Sequence, residues 1–204
     1  MVQALSYLKE TPSQTAGPYV HIGCTPNHAG LTGFYDTDPG AVLKTGSVKG
    51  QEITLRGTIF DGAGAPLRDA MVEIWQADAA GRFASGDPRG GADPHFTGWG
   101  RCACDADTGE FGFETVKPGR VPFIDGRLQA PHISLWIVAR GINLGLQTRA
   151  YFADEVTANT EDPILSRIEH RHRIPTLLVL PEASGVYRFD IHLQGDRETI
   201  FFDF

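Results

Sequence analysis

Short runs in which apolar and polar residues alternate, each closed by a turn, set what this chain can fold into. Residues 53–59 read Ile-Thr-Leu-Arg-Gly-Thr-Ile, the period of two that puts one face of a strand in a core and the other toward water. The segment 61–66, Asp-Gly-Ala-Gly-Ala-Pro, follows as a turn, with glycine supplying backbone angles that other residues resist. Residues 70–76, 111–116, 133–139, 146–152, 176–180 and 186–193 are further expected strands. The last of these puts Tyr187, Phe189, Ile191 and Leu193 on one face and Val186, Arg188, Asp190 and His192 on the other, so one side meets the core and the other solvent or an interface. Only 154–159 and 164–169, divided by Pro163, have the makings of short helices. With 24 glycines and 13 prolines, turns prevail over long helices. The expected fold is mainly β, an antiparallel β-sandwich core with long loops and one or two short helices. A single domain covers 1–204, with 1–50 as an N-terminal arm and 51–204 as the core. The arm and a second excursion at 84–100 are long irregular segments of the kind that carry function or pack on a partner.

Composition bounds the function classes. A hydrophobic content of 41% with 21% charged residues supports a sizeable core. A net charge of −7 leaves no basic stripe to displace counterions from a nucleic acid. No apolar run reaches membrane-spanning length, and MVQALSYLKE lacks a basic segment followed by an apolar one. The expectation is a soluble, cytoplasmic protein. Cys24, Cys102 and Cys104 are odd in number and show no framework spacing. They read as small, partly buried thiols in a reducing compartment rather than as a metal site.

The chemistry-bearing segments come in an ordered set. Val72-Glu73-Ile74-Trp75-Gln76-Ala77-Asp78 precedes Gly81-Arg82-Phe83. Then come Phe96-Thr97-Gly98-Trp99-Gly100-Arg101, Asp105 to Phe111, Thr115-Val116-Lys117-Pro118-Gly119, Ala130-Pro131-His132-Ile133-Ser134 and Tyr151-Phe152. In order and spacing these blocks resemble the intradiol ring-cleavage dioxygenases, which open catechols between their two hydroxyls. The catalytic members of that family hold Fe(III) with two tyrosinates and two histidines, a set suited to a hard ion that prefers anionic oxygen donors. Carried over one position at a time, the resemblance implies Phe83 and Val121 where the tyrosines belong, His132 at the first histidine and Ser134 at the second. Three of the four ligand positions are lost. The implied consequence is that this chain binds no metal and that His132 is a remnant satisfied within the core.

The other histidines offer no substitute site. His170-Arg171-His172 reads as a solvated loop, His21, His28 and His95 as loop residues without ligating partners, and His192 as a surface or interface residue. No nucleophile elbow, phosphate-cradling loop or dinucleotide fingerprint is present, and no pair of carboxylates is singled out for acid–base work. No catalytic residue is therefore assigned to this chain.

The termini extend the resemblance over nearly the whole chain. Glu10 to Tyr19, Ala139 to Asn143, Tyr187 to Ile191 and Phe201 to Phe204 are similar to the iron-free subunits of the family's hetero-oligomeric members. This implies a homologous, iron-bearing β subunit as partner, with Fe(III) held there. It also implies O2-dependent cleavage of 3,4-dihydroxybenzoate to 3-carboxy-cis,cis-muconate. Arg140 and the loop Thr15-Ala16-Gly17-Pro18-Tyr19 are implied pocket-wall residues. A guanidinium near the ring carboxylate would offset the cost of desolvating an anion, and Gly17 would let backbone approach the ligand. Read without the family, Arg140 is a structural ion pair at a strand end and residues 15–19 an interface loop. The sequence also admits a self-sufficient dioxygenase with an atypical metal site, or a β-sandwich binding module serving no enzyme. The aromatic terminus Ile200 to Phe204 reads equally as an interface or as a core-packed end.

Overall fold

A computed structural model describes residues 14–203; the resemblance at 10–13 and at Phe204 lies outside the described residues. The strands are β1 (Glu52–Phe60), β2 (Met71–Trp75), β3 (Trp99–Ala103), β4 (Glu110–Val116), β5 (His132–Val138), β6 (Leu146–Phe152), β7 (Leu178–Ala183), β8 (Val186–Arg188) and β9 (Ile191–His192). They follow one another in space as β3-β2-β5-β6-β7-β8-β1-β4, with β9 beside β1. The two ends of that order meet at Gly100, where an added Cβ would lie 2.7 Å from Leu43 and 3.1 Å from Phe113. The strands thus wrap a single interior as a nearly closed barrel or sandwich.

The alternation in the sequence decides what fills that interior. Leu55, Ile59, Val72, Ile74, Phe111, Ile133, Ile137, Phe152 and Phe189 form one buried cluster. Ala130, Tyr151, Ala158, Leu165 and Leu177 form a second, smaller one. Ile200, Phe201 and Phe202 pack against these clusters, and the Phe202 N–H donates to the Gln147 carbonyl at 2.8 Å. The aromatic terminus is core-packed as far as it is described.

Most pairings are antiparallel, as expected, but β1 pairs in parallel with β8 and β9, and β6 with β7. The expected strand 186–193 is interrupted. The Phe189 N–H donates to Arg56 and the Asp190 carboxylate accepts from Thr58, and a Cβ at Gly57 would land on the Phe189 carbonyl oxygen. Glycine is required there because two backbones touch. The expected strand 176–180 begins later, at Leu178, because the 3-10 helix Arg171–Leu177 with Pro175 inside it takes the preceding residues. Of the expected helices, the first is α2 (Val156–Glu161), shifted two residues along. The second is one 3-10 turn, Leu165–Arg167.

Two further elements fall outside the expectations. β3 pairs with β2 within what was read as motif and excursion, and α1 (Tyr19–Cys24) opens after Pro18 at φ −60°, an angle proline pre-sets for a helix start. Cys104 is buried and Cys102 partly so, and burial pushes both thiols up to about 12. Among the described residues no helix is long and apolar enough to cross a membrane.

Candidate functional site

Two regions hold the residues that the sequence singles out. The first is the start of β5 and its neighbours: of the four positions that the resemblance makes ligands, His132 and Ser134 lie on β5, and Phe83 and Val121 lie outside the strands. Register places Ser134 between Trp75 of β2 and Arg149 of β6. Phe83 stacks on Trp75 with ring centroids 6.2 Å apart and planes inclined by 11°, and its N–H donates to the Asp87 carboxylate at 3.1 Å. Val121 is buried, and its carbonyl accepts the Gln129 N–H at 2.8 Å. His132 lies opposite Tyr151 with ring centroids 5.5 Å apart. Phe83 and Val121 thus act as packing groups, and Ser134 offers a neutral hydroxyl.

His132 is the satisfied core residue expected. Its Nδ1–H donates to the Ala130 carbonyl at 2.8 Å, which leaves the lone pair on Nε2, the tautomer a metal would need. The surroundings are wrong for Fe(III). Burial first, then the positive charge of Arg149, push His132 down to about 4, against smaller upward pulls from the Ala130 hydrogen bond and the Asp162 carboxylate. Tyr151, the nearest phenol, is pushed above its ordinary value by burial, so no tyrosinate is at hand, and its oxygen lies 3.4 Å from the Arg149 guanidinium. That guanidinium also donates to Gln129 Oε1 at 2.8 Å. A ferric ion needs anionic donors; the carboxylate whose charge acts on His132, that of Asp162, is committed to the N–H groups of Ala130, Ile164 and Leu165, and the other groups named are a cation and neutral side chains. The residues present do not fit iron. Among the described residues no group of three or more His, Cys, Asp or Glu side chains could hold a metal either.

The buried neutral imidazole gives a pH signature. Its folded-state value of about 4 lies below the ordinary 6.5, so between those values the unfolded chain binds a proton that the folded chain refuses. Stability is full above pH 6.5 and is lost as pH falls toward 4, by about 3 kcal/mol. Urea denaturation at stepped pH checks this, and His132→Gln should flatten the His132 part of the slope.

The second region joins the arm to the end of β5. The Thr15 hydroxyl donates to the Ala139 carbonyl at 3.1 Å and accepts the Gly141 N–H at 2.7 Å, across 124 and 126 positions of sequence. Arg140, between those anchors, donates through Nε to Asp69, and its side chain is 73% exposed. Tyr19 is 80% exposed. A Cβ on Gly17 would meet nothing within 4 Å, so no contact within the described chain demands glycine there. Thr15 is thus joined directly to the Arg140 backbone, while Pro18 and Tyr19, the next exposed residues of the arm, follow it in sequence beyond half-buried Gly17. The ion pair that the family-free reading gave Arg140 is present, and it leaves both terminal nitrogens without a partner among the described residues.

His21 differs from its expectation. It lies on α1 rather than in a loop, its Nε2–H donates to the Asp69 carbonyl at 3.0 Å and its Nδ1 meets the Thr25 hydroxyl at 3.0 Å. His28 is its neighbour, with ring centroids 5.4 Å apart. His170 and His172 are exposed as expected, but His172 lies in the 3-10 helix Arg171–Leu177 rather than in a loop, and His192 stacks on Phe60 at the partly buried edge of β9.

A family model described as "Dioxygenase" matches residues 25–195. The chain belongs to the intradiol ring-cleavage dioxygenase family. It is 44% identical over 203 residues to the protocatechuate 3,4-dioxygenase alpha chain of Pseudomonas putida, covering 98% of this chain and 99% of that one. It is also 32% identical to the protocatechuate 3,4-dioxygenase beta chain of Burkholderia cepacia, over 77% of this chain and 70% of that one. Among solved structures, the dioxygenase domain of a carbohydrate-binding fusion protein from Streptomyces sp. SirexAA-E aligns with a TM-score of 0.53 at 26% identity, covering 91% of this chain and 99% of that one. For an intradiol dioxygenase chain, the residues that sequence reasoning missed are Asp69 and His21. No local signal marks the contacts of Asp69, since they reach His21 and Arg140, 48 and 71 positions away.

Proposed function

We propose that this chain is the alpha subunit of a protocatechuate 3,4-dioxygenase, that it holds no iron, and that its open surface at Thr15, Gly17, Pro18, Tyr19 and Arg140 closes the pocket of a homologous iron-bearing beta chain. The observation that carries the reading is the joining of two remote segments. Thr15 is hydrogen-bonded to both neighbours of Arg140, yet this chain's own lost metal position, around His132, does not fit iron. Substrate-facing groups without an adjacent metal make sense where the metal belongs to another chain.

The partner's Fe(III) supplies the activation of the catechol toward O2. Both oxygen atoms enter the ring, which opens between its hydroxyls to give 3-carboxy-cis,cis-muconate. This chain's part is binding and exclusion of water. The two free nitrogens of Arg140 form a fork matched to the ring carboxylate of protocatechuate. The backbone at Gly17-Pro18 comes close to the substrate, with Tyr19 covering the opening. Three free cysteines and the lack of a membrane-crossing helix among the described residues accord with a cytoplasmic setting.

Gly17 separates this reading from a merely structural loop. Because a Cβ there meets nothing in this chain, Gly17→Ala should leave the urea midpoint of the isolated chain unchanged. In the assembled complex it should raise KM for protocatechuate about threefold or more. A loss of stability with unaltered KM would make the loop structural. Co-expression with an iron-bearing beta chain tests the assembly itself: the two should co-purify as one species, and separate elution would sink the proposal.

A further inference from the structure

We propose that Asp69 is a positioning residue, one that sets the direction in which the Arg140 guanidinium addresses the substrate carboxylate. This inference rests on the reading of Arg140 as a pocket residue and adds a group that the reading does not contain. Arg140 lies just beyond the end of β5 and ahead of Gly141, whose φ is +85°. Its side chain is mostly exposed, and an exposed arginine samples many rotamers that must be ordered when a ligand binds.

Three contacts remove that freedom. Thr15 fixes the backbone on both sides of Arg140. The Asp69 carboxylate takes the Nε–H. Asp69 is itself held, because its carbonyl accepts the His21 Nε2–H at 3.0 Å and the next residue, Ala70, is fully buried and accepts the Cys104 N–H at 2.8 Å. With Nε committed inward, the guanidinium is left with its terminal nitrogens for an incoming carboxylate, the end that binds such a group bidentately.

A second carboxylate beside the same cation also has an opposing effect, since it repels the substrate anion. Asp69 keeps 31% of its side-chain surface, so that repulsion acts through water and past the intervening guanidinium, where it is weak. Orientation should therefore prevail, and the two effects predict opposite signs on removal of Asp69.

The test uses the assembled alpha/beta complex with Asp69→Ala, Asp69→Asn, Arg140→Ala and the Asp69→Ala/Arg140→Ala double variant, each checked for assembly and iron content. Orientation predicts that Asp69→Ala raises KM for protocatechuate roughly three- to tenfold with kcat within about twofold. Inhibition by catechol, which lacks the carboxylate, should not change. Asp69→Asn, whose side-chain oxygen still accepts the Nε–H, should stay within about twofold of the parent, and the double variant should be no worse than Arg140→Ala. An unchanged or lowered KM in Asp69→Ala, or additive losses in the double variant, would overturn the proposal while leaving Arg140 in the pocket. A silent Arg140→Ala would remove both the pocket reading and this inference.

Discussion

Arg140→Ala in the assembled complex should raise KM for protocatechuate about tenfold or more, which corresponds to about 1.4 kcal/mol of lost binding. The Arg140 side chain is 73% exposed and makes one ion pair, so its removal should change the stability of the chain by less than about 0.5 kcal/mol. Any sizeable effect must appear in function. A ring carboxylate entering a partly desolvated cleft needs a counter-charge, and a guanidinium fork supplies it with two hydrogen bonds. Arg140→Lys keeps the charge and loses the fork, so its KM should fall between those of the parent and the alanine variant. Steady-state kinetics with matched iron content is the measurement, and an unchanged KM in Arg140→Ala would take Arg140 out of the site.

The largest expected effect on stability is at Asp162. Its side chain is fully buried, and Oδ2 accepts the Ala130 N–H at 2.7 Å while Oδ1 accepts those of Ile164 and Leu165 at 2.8 Å each. Ala130 in turn accepts the proton of His132. Asp162 thus pins the start of β5 to the turn that follows α2. Asp162→Ala leaves three donors without an acceptor, each costing about 1–3 kcal/mol when buried. The expected loss is on the order of 3–5 kcal/mol out of a total stability of roughly 5–15 kcal/mol. Asp162→Asn keeps the two bonds through Oδ1 and loses the one to Ala130, so it should cost about a third as much. Urea midpoints of the three proteins give the ranking, and an alanine variant within about 1 kcal/mol of the parent would contradict this account.

Much of the fold was legible because burial in a sheet has the simplest of periods. The run at 53–59 shows it at once, and β1 extends it by one residue at each end. The missed strand β3 lacks that pattern for a packing reason. Gly100 gives up its side chain so that Leu43 and Phe113 can approach, and Arg101 turns out to pair with Glu73 at 2.6 Å. The break between β8 and β9 was invisible for a similar reason, since it depends on Gly57 meeting a backbone 132 residues away. At the site, composition marked the arm as a functional or partner-packed excursion but gave neither Arg140 nor the residues 15–19; the family resemblance named those, and the fold joins Thr15 to the Arg140 backbone. Asp69 had no such signal. Its role exists only once the turn before β2 and the end of β5 are side by side.

If the metal belongs to the partner, the chain expressed alone should hold negligible iron after growth in iron-rich medium, show no visible ferric–tyrosinate absorption and give no turnover of protocatechuate. All three should appear on co-expression with the iron-bearing beta chain. Iron bound one-to-one by the isolated chain, with the colour and activity of the assembled enzyme, would contradict this assignment.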